Sequence, residues 1–318
     1  MKKIIIDTDP GIDDGMAIQL ALHSPELDIL GLTTIFGNAS VNITTDNAMR
    51  LLEIADRTNI PVCKGTDKPL KRPFAGGVPQ VHGEDGKGNI EHPESKLKPD
   101  PRSAHEFMAE QIKSHPGRVT ILAIGPLTNL ALLLQEYPGI EELVEEIVIM
   151  GGNAFCPGNA TPAAEANILS DPEAADIVLG ANWKVHMIGL DVTHKVLMTS
   201  EQLDRIANTE SPLNQYVSTT FHFYRDFFKK VDQIDGIYVH DSTAVVYVLK
   251  RALFETKDFP VKVETTNSIS LGKTWPSMGE SDHEDGNELL PWKNRPKVTI
   301  SVDVDANTVL QLIEERLH

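Results

Sequence analysis

The chain has 318 residues and a net charge of -17, from 29 Lys plus Arg against 46 Asp plus Glu. Such acidity argues against nucleic acid as a partner, because a polyanion is repelled at long range, and the length suffices for a sizeable α/β core. Cys63 and Cys156 form no CxxC pair, and no window approaches the ~20 apolar residues of a membrane span, which argues against a disulfide framework, a zinc ribbon and a membrane protein.

In chain order, short β-branched runs predict strands near 3-6, 28-35, 118-124, 145-150 and 184-190. Helical periodicity predicts helices near 14-22, 42-57, 102-114, 126-136 and 171-179 between them. Strand and helix alternate as in βαβ units, so the expected fold is α/β and Rossmann-like, a mainly parallel central sheet flanked by helices. Asp171-Pro172 is a helix start, an N-cap followed by Pro. From 199 the pattern turns helical (199-207, 213-229, 241-250). Strands at 261-265, 268-274 and 297-303 then precede a last helix at 306-316, giving a helical C-terminal portion. No composition break divides the chain, so one domain over 1-318 is expected. The Gly- and Pro-rich stretch 64-101 reads as a long functional loop. The apolar run after Lys2-Lys3 ends at Asp7, short of a signal-peptide core, which points to the cytoplasm.

The stretch DTDPGIDD puts Asp7 and Asp9 at the end of the first strand and Asp13 and Asp14 at the start of the next helix, with Pro10-Gly11 turning the chain back. Two carboxylates ~4 Å apart repel by about 4 kcal/mol at an effective dielectric of 20, so a converging set calls for a cation or raised pKa values. Oxygen-only donors suit Ca²⁺ or Mg²⁺. The simpler reading, capping of the helix N-terminus, accounts for one of the acids. An EF-hand starting at Asp7 fails at Gly11, Ile12 and Ile18, and a phosphatase of the haloacid dehalogenase kind has Thr or Val where this chain has Gly11.

Ligands of open parallel sheets sit beyond the carboxyl ends of the strands. Gly37-Asn38, GPLTN (125-129), Gly151-Gly152-Asn153 and Asp191 all fall at that edge. In GNATPAAEAN, Asn159, Glu165 and Asn167 lie within nine residues, and an extended conformation would point Glu165 and Asn167 the same way. Amide plus carboxylate suits vicinal hydroxyls, hence a sugar. His240-Asp241 precedes an apolar helix, where Asp241 is either a cap or a metal ligand beside a proton donor.

Together DTDPGIDD, Gly37-Asn38, VHGEDG, GPLTN, NATPAAEAN with SDPEAA, and VHD resemble the nucleoside hydrolases, in particular the inosine-uridine-preferring branch, in family order from residue 4 to about 250. The resemblance implies hydrolysis of the N-glycosidic bond of ribonucleosides to ribose and free base by a Ca²⁺-bound water. It implies Asp9, Asp14, Asp241 and the Ile124 carbonyl as calcium ligands. Asp13, Asn38, Asn159, Glu165 and Asn167 would bind the ribose hydroxyls, and His82 and His240 would face the base. Asp9 would be the base, His240 the donor to the leaving group, and the assembly a homodimer or homotetramer. Phe223, Tyr224, Phe227 and Phe228 are candidates to touch the base or belong to the core. Two other readings stand beside it: a Mg²⁺-dependent phosphohydrolase with Asp7 as nucleophile, and a non-catalytic Ca²⁺-dependent nucleoside or sugar receptor.

Overall fold

The computed structural model describes residues 1-208, 211-278 and 291-317. The run Ile4-Ile5-Ile6 forms a strand buried on both faces: Ile4 and Ile6 point into one apolar layer, Ile5 into the other. This strand, β1 (Lys2–Thr8), pairs in parallel with β2 (Leu27–Thr34) on one side and β4 (Val119–Ala123) on the other. With β3 (Val62–Lys64), β5 (Glu146–Met150) and β6 (Val185–Ile188) the order is β3-β2-β1-β4-β5-β6, all parallel. β11 (Lys297–Val304) continues it in parallel beside β6, and β9 (Phe254–Val263) and β10 (Thr274–Pro276) finish the nine-stranded sheet antiparallel. Strand order reverses at β1 and β4, the topological switch point where doubly wound sheets bind their ligands.

Helices cover both faces. α1 (Ile12–Leu22), α2 (Val41–Ile54), α9 (Ser200–Ala207), α10 (Pro212–Val231), α11 (His240–Leu249) and α12 (Ala306–Leu317) share one apolar layer. α4 (Ala104–Ser114), α5 (Thr128–Glu136) and α7 (Pro172–Gly180) share the other. The α/β fold with a mainly parallel sheet and a helical C-terminal portion is therefore as the sequence suggests. Asp171 caps α7 by accepting from Ala174 N, with Pro172 at its first position.

Some elements differ from expectation. β3 and the antiparallel ribbon of β7 (Leu197–Thr199) with β8 (Gly236–Tyr238) are three-residue strands, too short for periodicity to register. β9 begins at Phe254 because its exposed polar residues Glu255 to Asp258 pair with β11, contacts that leave no apolar signal. The strand expected over 268-274 is instead a turn. Gly272 N donates to the Glu264 carbonyl (2.8 Å) at φ +80°, Ile269 is fully exposed, and β10 starts only at Thr274. The long 64-101 stretch contains only the end of β3 and one short helix, α3 (Pro79–His82), and is strapped down by polar contacts. Leu70 N donates to Asp171 (2.8 Å), and Arg72 binds Glu173 with two nitrogens (3.0 Å each) and the Thr265 carbonyl (2.8 Å).

At the amino ends of the central strands, opposite the carboxyl ends, Glu146 is buried and ties four elements together. It accepts from Lys2 Nζ (2.8 Å) and Thr120 Oγ1 (3.2 Å), and pairs with His186 Nε2 (3.3 Å) and Arg251. Burial raises its pKa, but hydrogen bonds from His186, Arg251 and Lys2 outweigh that and hold it well below the usual carboxylate range. A depressed carboxylate stabilises the fold above its unfolded pKa, and that contribution is lost as pH falls through the folded value. Glu146→Gln is thus expected to cost about 3 kcal/mol at pH 7 in urea unfolding. The gap from the parent protein should narrow only below about pH 4; a gap independent of pH would refute the ion-pair account.

Candidate active site

β1 ends at Thr8, Pro10-Gly11 reverses the chain, and α1 begins at Ile12, so Asp9, Asp13 and Asp14 gather at the switch point. Asp14 provides the cap: Oδ2 accepts from Gly11 N (3.0 Å) and Asn38 Nδ2 (3.0 Å), and Oδ1 from Thr8 Oγ1 (2.5 Å). Asp9 Oδ2 accepts from Asn38 N (2.7 Å), while Asp9 Oδ1 is buried with no hydrogen-bond partner among the described residues. Asp13 Oδ2 accepts from the Tyr224 hydroxyl (3.2 Å), and its Oδ1 is likewise buried and unpaired. Asp241, in the first turn of α11, completes the group. Asp13, Asp14 and Asp241 each present an oxygen within 4.8 Å of the others.

Asp7 stands apart. It is wholly buried inside the sheet, with Oδ1 accepting from Thr33 Oγ1 (2.6 Å) and Asn129 Nδ2 (2.8 Å), and burial raises its pKa to about 7. Asn129 also donates to the Thr34 carbonyl (3.1 Å), so Asp7 braces β1, β2 and α5, and a nucleophile there would meet no substrate.

The expected sugar-binding residues are placed unevenly. Asn38 donates from Nδ2 to Asp14 and to the Asp9 carbonyl (3.2 Å). Glu165 keeps an extended backbone, but Asn167 is helical, so the two do not share one extended segment. Glu165 caps α6 (Ala166–Ser170), taking Asn167 N (2.8 Å) on Oε1, and Gly152 N (2.9 Å) and Ile168 N (3.0 Å) on Oε2. Asn167 lies within α6, and its Nδ2 donates to the carbonyls of Ile124 and Met150 (3.1 Å each), bridging the ends of β4 and β5. Asn159 is exposed and accepts from Ala166 N (3.0 Å); no contact among the described residues brings it to the aspartates.

On the other side His82, in α3, accepts from Ile12 N at Nδ1 (3.1 Å), lies 4.0 Å from Asp13 Oδ1 and stacks on Tyr224 at 5.4 Å. Tyr224 packs on Phe228, and Phe228 on Tyr238, so both α10 aromatics belong to the core, and Tyr224 also reaches the site. His240 opens α11, its Nδ1 2.9 Å from Thr193 Oγ1. Burial pushes His82 down to about 4 and, with His194 and His82 nearby, His240 to about 3, so both rings are neutral. Thr193, in α8 (Leu190–Thr193), went unnoticed in the sequence because a threonine carries no motif signal.

The electrostatics favour a cation. Burial, then Asp14, raises Asp9; burial, then Asp13, lifts Asp14 to about 6; burial lifts Asp13 to about 6; burial, then Asp13 and Asp14, raises Asp241. Unpaired buried oxygens on Asp9 and Asp13 and an all-oxygen donor set fit a hard metal ion.

Residues 4-311 match the family of inosine-uridine preferring nucleoside hydrolases. The chain is 44% identical over 317 residues to probable uridine nucleosidase 2 of Arabidopsis thaliana, covering 99% of this chain and 97% of that one. It is 39% identical to the inosine-uridine preferring nucleoside hydrolase of Crithidia fasciculata, covering 86% and 87%. A solved plant nucleoside hydrolase, PpNRh1, superposes with a TM-score of 0.95 at 38% identity, covering 99% and 98%. The chain belongs to the nucleoside hydrolase family. It is an enzyme that hydrolyses ribonucleosides. Among the described residues, no helix is long and apolar enough to cross a membrane.

Two glycines make room for Asp9. A Cβ on Gly125 would lie 2.5 Å from Asp9 Oδ1, and one on Gly37, at φ +159°, would lie 2.0 Å from Asp9 Oδ2. Gly125→Ala is therefore expected to displace Asp9 and lower kcat/KM by about 100-fold. The far-UV circular dichroism should be unchanged, and a variant with parental kcat/KM would show that the position of Asp9 is uncritical.

Proposed function

We propose that this enzyme cleaves the N-glycosidic bond with Ca²⁺ and a water molecule, Asp9 acting as base and His240 as donor to the leaving group. The observation that carries this reading is the convergence of Asp13, Asp14 and Asp241 at the switch point, with Asp9 close enough to feel their charge and one buried oxygen each of Asp9 and Asp13 unpaired among the described residues. Asp9, Asp14, Asp241 and the Ile124 carbonyl would hold the ion. When bound, calcium would offset part of the charge of the acids, polarise the attacking water and engage the ribose hydroxyls.

The side chains supply the remainder. Asp9 takes a proton from water, whose oxygen bonds to the anomeric carbon on the face opposite the base, inverting that centre. The C–N electron pair departs with the base, and the negative field of the acids favours the oxocarbenium-like sugar between them. Asp13, Asn38, Asn159, Glu165 and Asn167 are assigned to the ribose hydroxyls; Glu165 keeps lone pairs free beside its three backbone donors. His82 and His240 are assigned to the base, and as a neutral ring His240 donates a hydrogen bond rather than a full proton. The names of the Arabidopsis and Crithidia relatives bring uridine and inosine forward as first substrates. The same reading takes 1-318 as one domain, supported by a single sheet that joins strands from both ends of the chain, and places it in the cytoplasm, where Cys63 and Cys156 stay free thiols.

The test measures reducing sugar released from inosine, adenosine, guanosine, uridine and cytidine. Chelation should abolish release and lower Tm, with Ca²⁺ restoring both; full activity after exhaustive chelation would sink the metal reading. Asp9→Ala should lower kcat by 100-fold or more, on the order expected for loss of a general base. His240→Ala should slow nucleosides with poor leaving groups most, and equal slowing across all bases would count against its role as donor.

A further inference from the structure

Thr193 is completely buried at the end of α8, and its hydroxyl lies 2.9 Å from His240 Nδ1. Among the described residues this is the only hydrogen-bond partner of either side chain; His194 and Tyr238 flank the ring at centroid distances of 5.6 and 5.9 Å without bonding to it. A hydroxyl carries one proton, and leaving it without an acceptor in the interior is unfavourable. Among the described residues Nδ1 is the one acceptor within reach, so Thr193 donates and Nδ1 accepts. A ring whose Nδ1 accepts carries its own proton on Nε2.

We infer that Thr193 is a positioning residue for glycosidic cleavage: its hydroxyl fixes the orientation of His240 and the tautomer with hydrogen on Nε2, the atom that faces the departing base. This rests on the reading of His240 as leaving-group donor. The position of His240 explains why it needs such a partner. It is the first residue of α11, directly after β8 and the intervening Val239, and among the described residues no hydrogen bond other than that from Thr193 stops its side chain from turning. With Nδ1 unclaimed, the proton would be free to reside on either nitrogen, and the ring would present a bare Nε2 for part of the time. A fixed partner on the far nitrogen sets ring orientation here as it does for metal-bound histidines.

The calcium-supplied enzyme is assayed on uridine and on 4-nitrophenyl riboside, whose phenolate leaves without a hydrogen bond. Thr193→Val keeps the shape and removes the hydroxyl; it should lower the ratio of kcat on uridine to kcat on the phenyl riboside about tenfold, roughly the worth of one buried hydrogen bond. Thr193→Ser, which keeps the hydroxyl, should restore the ratio to within about twofold. Equal losses on both substrates would mark Thr193 as merely structural and overturn the inference. If His240→Ala lowers the ratio and Thr193→Val does not, the inference fails while the donor reading stands; if His240→Ala leaves the ratio unchanged, both fall. An assay-free check is the ¹⁵N spectrum of histidine-labelled enzyme, with the His240 signals assigned by their loss in His240→Ala. A proton on Nε2 near neutral pH supports the assignment, and one on Nδ1 refutes it.

Discussion

The crowding of like charge at the mouth of β1 governs this molecule. Carboxylates brought together away from water repel one another and lose hydration, a cost the protein accepts here. The details of that end follow from it. Pro10-Gly11 folds the acids onto one point, Gly37 and Gly125 leave space for Asp9, Asn38 cross-links Asp9 to Asp14, and the amino end of α1 adds the favourable field of a helix terminus. Local stability is sacrificed for a cation-receptive cleft, and the deep parallel sheet on either side supplies the rigidity to hold it.

Much of this was legible in the residues. The longer strands of the parallel sheet, though not the three-residue β3, announce themselves because both faces are buried and apolar, and the acids are visible because charge directly after Ile4-Ile5-Ile6 has no packing explanation. Illegible were contacts that leave no periodic trace: the polar pairing of β9 with β11, the turn at Gly272, and the ribbon of β7 and β8. The site was read less completely than the fold. Glu165 and Asn167 were read as an extended pair, whereas backbone amides draw Glu165 into a helix cap and Asn167 into a bridge between strand ends. Thr193 and Tyr224 act through partners far away in the chain, His240 and Asp13, and no local pattern reveals such a pairing.

His82, Tyr224 and the acid cluster are one connected object. Tyr224 stacks on His82 and donates to Asp13, so α10 reaches the acid cluster through a single side chain. Its neighbour Phe228 continues the packing to Tyr238, beside His240. Substitutions on α10 that displace Tyr224 would therefore also be felt by the carboxylates.

Arg72 clamps its segment onto Glu173 and Thr265, and on the far side Val78 N and Gly77 hold close to the Asn38 carbonyl. Between these anchors the chain rises to a bare tip at Ala75-Gly76, where nothing lies within 4 Å of a side chain placed at Gly76. Length can change there without tugging on His82, which makes the tip a natural graft point for an affinity tag or fluorophore near the cleft.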